Sequence, residues 1–177
     1  DLTLSGDGAV VNTATIRGRI SIANPGRYDG GTFVPGPVLA SFTNQGEVAD
    51  GVFGETRAFA NSGKIGSSTL RNSAVAIYGS DTLQFANTGA ITSDGSAPAV
   101  QSSLSDATTF AATNGGTITG GFAASVSSGA QTTTAPAAVS LTNGGTITGA
   151  GRFNPAVRLY ADFSEGTGTL TLANNGT

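Results

Sequence analysis

The 177-residue sequence contains no cysteine, histidine, methionine or tryptophan. Without Cys and His, soft-ligand zinc sites, thiolate nucleophiles, haem ligation and every catalytic triad built on imidazole are excluded from the chain's own residues. Any metal would have to be held by oxygen donors, and no motif calls for a metal or a cofactor. Charge is also scarce, at 11% of residues, against roughly 25% in an ordinary soluble domain. Eight basic and eleven acidic side chains leave a net charge of −3 and no basic stripe that would displace counterions from phosphate, which excludes a nucleic-acid partner. No run of about 18 apolar residues occurs, so no transmembrane helix is expected. Hydrophobic residues still make up 38% of the chain, too many for a disordered polymer of such low net charge.

What the sequence does have is glycine and small β-branched or hydroxyl residues: 27 Gly, 25 Thr and 18 Ser. Much of this sits in one recurring motif, apolar-x-Asn-x-Gly-x-Ile/Val. It appears as Phe42-Thr43-Asn44-Gln45-Gly46-Glu47-Val48, Phe59-Ala60-Asn61-Ser62-Gly63-Lys64-Ile65 and Phe85-Ala86-Asn87-Thr88-Gly89-Ala90-Ile91. It returns as Ala112-Thr113-Asn114-Gly115-Gly116-Thr117-Ile118 and Leu141-Thr142-Asn143-Gly144-Gly145-Thr146-Ile147. Two copies are partial: Asn12 leads to Ile16 through Ala14 instead of Gly, and the copy at Asn174 stops at Thr177.

The Asn positions 12, 44, 61, 87, 114, 143 and 174 are separated by 32, 17, 26, 27, 29 and 31 residues. A β-solenoid absorbs such irregularity at its corners and keeps register only in its strands. A second apolar segment follows at a loose offset: Ala74 to Tyr78, Ala99 to Gln101, Ala124 to Val126 and Ala156 to Tyr160. Thr-Ile-Thr-Gly, at 117–120 and 146–149, alternates polar with apolar as a half-buried strand does. No apolar face recurs at helical spacing. The expected fold is therefore all-β: a right-handed parallel β-helix of about six coils and three short strands per coil, with the hand taken from general crossover preference. Residues 1–177 read as a single solenoid segment of a longer chain, with 24–41 a projecting loop or hairpin.

Each motif position has an expected mechanical role. Asn12, Asn44, Asn61, Asn87, Asn114, Asn143 and Asn174 would stack at one corner, bonding to the coils above and below and tolerating a left-handed turn. Gly46, Gly63, Gly89, Gly116 and Gly145 would take dihedrals that other residues avoid. Ile16, Val48, Ile65, Ile91, Ile118 and Ile147 would fill the core.

Phe-Ala-Asn-Thr-Gly-Ala-Ile-Thr and Leu-Thr-Asn-Gly-Gly-Thr-Ile-Thr-Gly resemble repeats in the β-helical passenger regions of bacterial autotransporters and related large surface adhesins. The resemblance spans nearly the whole chain and is weakest between residues 17 and 41. It implies secretion across an outer membrane and display at the surface of a Gram-negative bacterium. The function it implies is a noncatalytic structural or adhesive module, the rigid shaft of such an adhesin, with glycans or a host surface as possible contacts. The alternatives are a self-assembling extracellular filament or surface-layer subunit, stacked coil on coil, and a carbohydrate-active β-helix such as a polysaccharide lyase or a phage tailspike.

The enzymatic reading would need paired carboxylates on one face. Candidates are Asp50 with Glu47, Asp81, Asp94, and Asp162 with Glu165; they share no motif position, and Lys64 is the sole lysine. No catalytic residue is therefore assigned. Arg152, Arg158, Tyr160 and Asp162 either form a polar strip with an aromatic platform or merely solubilise the outer side of one strand. Tyr28 and Phe33, in the long excursion, are the expected exposed aromatics, since loops projecting from a rigid scaffold commonly carry contacts.

Overall fold

The computed structural model describes residues 1–79, 82–105, 109–127, 137–149, 155–162 and 168–177, apart from the side chains of Phe33, Ala137 and Asp162. Those residues form no helix; they build three parallel sheets and one small hairpin. Sheet 1 stacks Leu2–Leu4, Ile20–Ile22, Val52–Gly54, Val75–Gly79, Val100–Ser105, Phe122–Ser127 and Val157–Asp162. Sheet 2 stacks Ala9–Asn12, Ser41–Asn44, Ala58–Asn61, Leu83–Asn87, Thr109–Asn114, Ala137–Asn143 and Gly168–Asn174. Sheet 3 stacks Thr15–Ile16, Glu47–Val48, Lys64–Gly66, Ala90–Thr92, Thr117–Thr119 and Thr146–Thr148.

The chain visits the sheets in the order 1, 2, 3 in every coil, and each strand pairs with its equivalents in the coils before and after. This is a parallel β-helix. Six coils are complete, and a seventh has its first two strands. At ~4.8 Å per step, the seven strands of sheet 2 rise about 30 Å.

Alternation along each strand sends every second side chain into the space between the sheets. Val48, Ile65, Ile91, Ile118 and Ile147 are paired in register along sheet 3 and are buried. Each such side chain removed from water is worth roughly 1.5–3 kcal/mol. Sheet 2 contributes rings: Phe42, Phe59 and Phe85 stack with centroids 5.8 and 5.3 Å apart, and Phe85 meets Phe122 of sheet 1 edge-on at 5.8 Å.

Three expectations need correction. Ile16 is only half-buried, packed against the edge of the core. The repeated asparagines are not turn residues; each is the last residue of a sheet 2 strand, with extended backbone. The corner glycines, in turn, are not there for unusual dihedrals, since Gly46, Gly63, Gly89, Gly116 and Gly145 all lie outside the left-handed region. They are required because the coils touch there. A Cβ on Gly89 would sit 2.1 Å from the carbonyl oxygen of Gly63, and one on Gly116 would sit 2.2 Å from that of Gly89.

The register of sheet 1 also differs from the sequence alignment. Val75, Val100, Phe122 and Val157 share one inward row, so Ala99-Val100 is equivalent to Gly121-Phe122 and not to residues near Val126. Between the second strands of sheets 1 and 2 the chain leaves the coil as an antiparallel hairpin, Arg27–Asp29 against Thr32–Val34. Its two-residue turn needs positive φ at both positions, supplied by Gly30 (54°) and Gly31 (85°).

Candidate functional site

The most regular polar feature is inside the coils. Asn12, Asn44, Asn61, Asn87, Asn114 and Asn143 each donate Nδ2–H to the Oδ1 of the next asparagine along the axis, at 2.7–2.8 Å. The same amide nitrogen reaches the carbonyl two residues on, for example Asn44 to Gly46 at 3.1 Å and Asn61 to Gly63 at 3.2 Å. The backbone closes the corner in the same way. The Asn44 carbonyl accepts from the N–H groups of both Ser62 and Gly63, at 2.8 and 3.2 Å. Asn44, Asn61, Asn87, Asn114 and Asn143 are all buried, while Asn174, on the last coil, is exposed. A buried primary amide is tolerated because its donors and acceptor are used. The ladder is thus structural, with no group left open for a ligand.

The carboxylates do not converge. Glu47 lies on the outer side of sheet 3 and is paired with Lys64 at 3.1 Å, one coil away. Asp94 binds the Ser96 backbone N–H at 2.7 Å and the Ser96 hydroxyl at 3.0 Å, an exposed turn closed on itself. Asp50 is exposed at another corner. No group of three or more acidic residues close enough to hold a metal occurs among the described residues. Asp81, Arg152, Glu165 and the side chain of Asp162 lie outside the described residues.

The three outer surfaces are chemically unlike. Sheet 2 presents small side chains in two rows, Val11-Thr43-Ala60-Ala86-Thr113-Thr142-Ala173 and Ala9-Ser41-Ala58-Gln84-Ala111-Ser140-Thr171. Sheet 3 presents Thr15, Glu47, Lys64, Ala90, Thr117 and Thr146. Sheet 1 carries the aromatic residues. Tyr78, Ser103, Ser125 and Tyr160 occupy one outward row, and Phe53, Ala76, Gln101, Ala123 and Arg158 the next. Tyr78 and Tyr160 are 45% and 56% exposed, and the Arg19 guanidinium lies 4.6 Å over the Phe53 ring.

Arg158 and Tyr160 therefore sit on the outer side of one strand, as alternation requires, with Val157, Leu159 and Ala161 turned toward the core. They line a shallow groove with Gln101, Ala123 and Ser125. Tyr28, on the hairpin, is 78% exposed; Phe33 is its partner in register, but its side chain lies outside the described residues. The sequence reading missed Tyr78, Gln101, Ser103 and Ser125. Its signal was present, since Ala74-Val75-Ala76-Ile77-Tyr78 and Ala156-Val157-Arg158-Leu159-Tyr160 align position for position.

Among the described residues, no helix is long and apolar enough to cross a membrane. No protein-family model, curated protein or solved structure matches the chain.

Proposed function

We propose that this chain is a noncatalytic extracellular module, the rigid β-helical shaft of a bacterial surface adhesin or autotransporter passenger. The observation that carries this reading is the sameness of the interior from coil to coil. One asparagine row, one Ile/Val row and, from the second coil on, one row of corner glycines run along the rod, joined by parallel pairing at every step. Such a chain resists bending along its whole length and holds its surface at a fixed spacing, which suits extension and presentation. The described acidic residues are dispersed among corners, a sheet 3 strand and the hairpin, which fits an absence of hydrolytic chemistry.

The test is the location and length of the native polypeptide. Antibody to this segment should label intact cells, external protease should remove the signal, and the intact mass should be much larger than that of these residues. A signal confined to the cytosol of unbroken cells would overturn the reading. Depolymerisation of a polysaccharide, lost on Asp50 or Asp94 substitution, would instead favour the enzymatic alternative.

A further inference from the structure

We propose that the outer face of sheet 1 is a binding strip for a linear acidic glycan, with Tyr78 and Tyr160 as stacking platforms and Arg158 as the group that engages a sugar carboxylate. This goes beyond the shaft reading and does not depend on it, because binding by the strip is independent of where the chain is displayed.

Segregation is the first support. Among the described residues, the aromatic rings on the outer side of the coils all belong to sheet 1: Tyr78, Tyr160 and the half-buried Phe53. The outer rows of sheets 2 and 3 hold none. Solubility gives no reason to collect exposed rings on one face of three, whereas recognition does.

Spacing is the second. Tyr78, Ser103, Ser125 and Tyr160 are successive members of one row that runs along the axis, so the rings are three steps, or about 14 Å, apart. A chain of pyranose rings advances by nearly one strand spacing per unit. A short oligosaccharide laid along the row would therefore place one sugar on each tyrosine and its hydroxyls over Ser103 and Ser125. The neighbouring row adds the Gln101 amide, which accepts from the Ser73 hydroxyl at 3.3 Å, and the exposed Arg158 guanidinium. Arg158 forms no ion pair among the described residues.

The same geometry disfavours a peptide. Backbone groups in the middle of sheet 1 are used in the ladder, so a strand laid on this face would find no main-chain partners. The groove offers the Tyr160 ring, hydroxyls, an amide and one cation, and Tyr78 lies farther along the same row, which suits a ligand with an apolar ring face and a polar rim.

Titration of the full chain with a galacturonic-acid tetrasaccharide, with cellotetraose as the neutral control, tests this. The chain has no tryptophan and two of its three tyrosines lie on the strip, so tyrosine emission measured in a Tyr28→Phe background reports on it. The acidic tetrasaccharide should quench it, and Tyr160→Ala and Tyr78→Ala should each weaken binding by about tenfold, the upper end for one stacking contact. Arg158→Gln should reduce binding of the acidic sugar alone, and Tyr28→Ala should leave it unchanged. These residues are exposed, and matching thermal melts would show that the variants fold. Absence of binding by both sugars at millimolar concentration, or binding unmoved by both strip tyrosine substitutions, overturns the strip. Equal affinity for cellotetraose overturns the role of Arg158.

Discussion

Asn87 and Asn114, one coil apart, share a buried hydrogen bond of 2.8 Å from Nδ2 to Oδ1, and Asn87 Nδ2 also lies 3.3 Å from the carbonyl oxygen of Gly89. Each asparagine from Asn44 to Asn143 is both donor to one coil and acceptor from another. Truncating one therefore strands a donor below and an acceptor above.

Asn87→Ala should leave Asn61 Nδ2 without its Oδ1 acceptor and Asn114 Oδ1 without its donor. Two buried groups that each lose a hydrogen bond should cost about 3 kcal/mol, which corresponds to a fall in Tm of about 10 °C for a chain of this size. Thermal unfolding followed by circular dichroism checks this. A melt equal to that of the wild type would mean that water replaces the ladder at no loss.

The corner glycines give a test that separates close approach from backbone conformation. Gly89→Ala should destabilise the rod by roughly 1–3 kcal/mol, because its Cβ would press on the Gly63 carbonyl of the coil below. Gly115→Ala, one position before a corner glycine, meets nothing closer than 4.0 Å and should stay within about 0.5 kcal/mol. Denaturant titration of the two variants should show this asymmetry; equal losses would point to a conformational cause instead.

Depth of burial should grade the cost of core substitutions. Ile118→Ala, fully buried with coils on both sides, should lose about 3 kcal/mol. Ile16→Ala, half-buried on the first coil, should lose less than half as much. Ile118→Asp should prevent cooperative folding by burying an unpaired charge, and an Ile118→Asp variant that melts like the wild type would mean that the strand register is wrong.

Removal of the hairpin should leave the rod standing. Arg27–Asp29 and Thr32–Val34 pair with each other, and neither strand belongs to a coil sheet. Replacing residues 26–36 by a short Gly-Ser linker should shift Tm by only a few degrees, consistent with the tolerance of surface excursions to length change. A collapse of the melt would show that the excursion covers the coil beneath it.

Much of the rod is legible in the sequence because a solenoid repeats the same local problem. The motif around Asn44, Asn61, Asn87, Asn114 and Asn143 marks the corner between sheets 2 and 3. The Ile or Val four residues later marks the sheet 3 strand in each case. Less was legible where the cause lies between coils. The need for Gly89 comes from a carbonyl in residue 63, 26 positions earlier, which no local rule of backbone preference contains.

Residue type and spacing along the chain suffice for the strand periodicity, the recurring Asn corner and the exclusion of thiol, imidazole and soft-metal chemistry. The composition of each outer face needs the folded rod. Tyr78 and Tyr160 stand 82 residues apart, separated by loops of unequal length, and only the parallel register of four strands puts them in one row on one face with Ser103 and Ser125 between them. Alternation within a strand fixes which side a residue faces, but register between strands fixes its neighbours, and register is a property of the stacked coils.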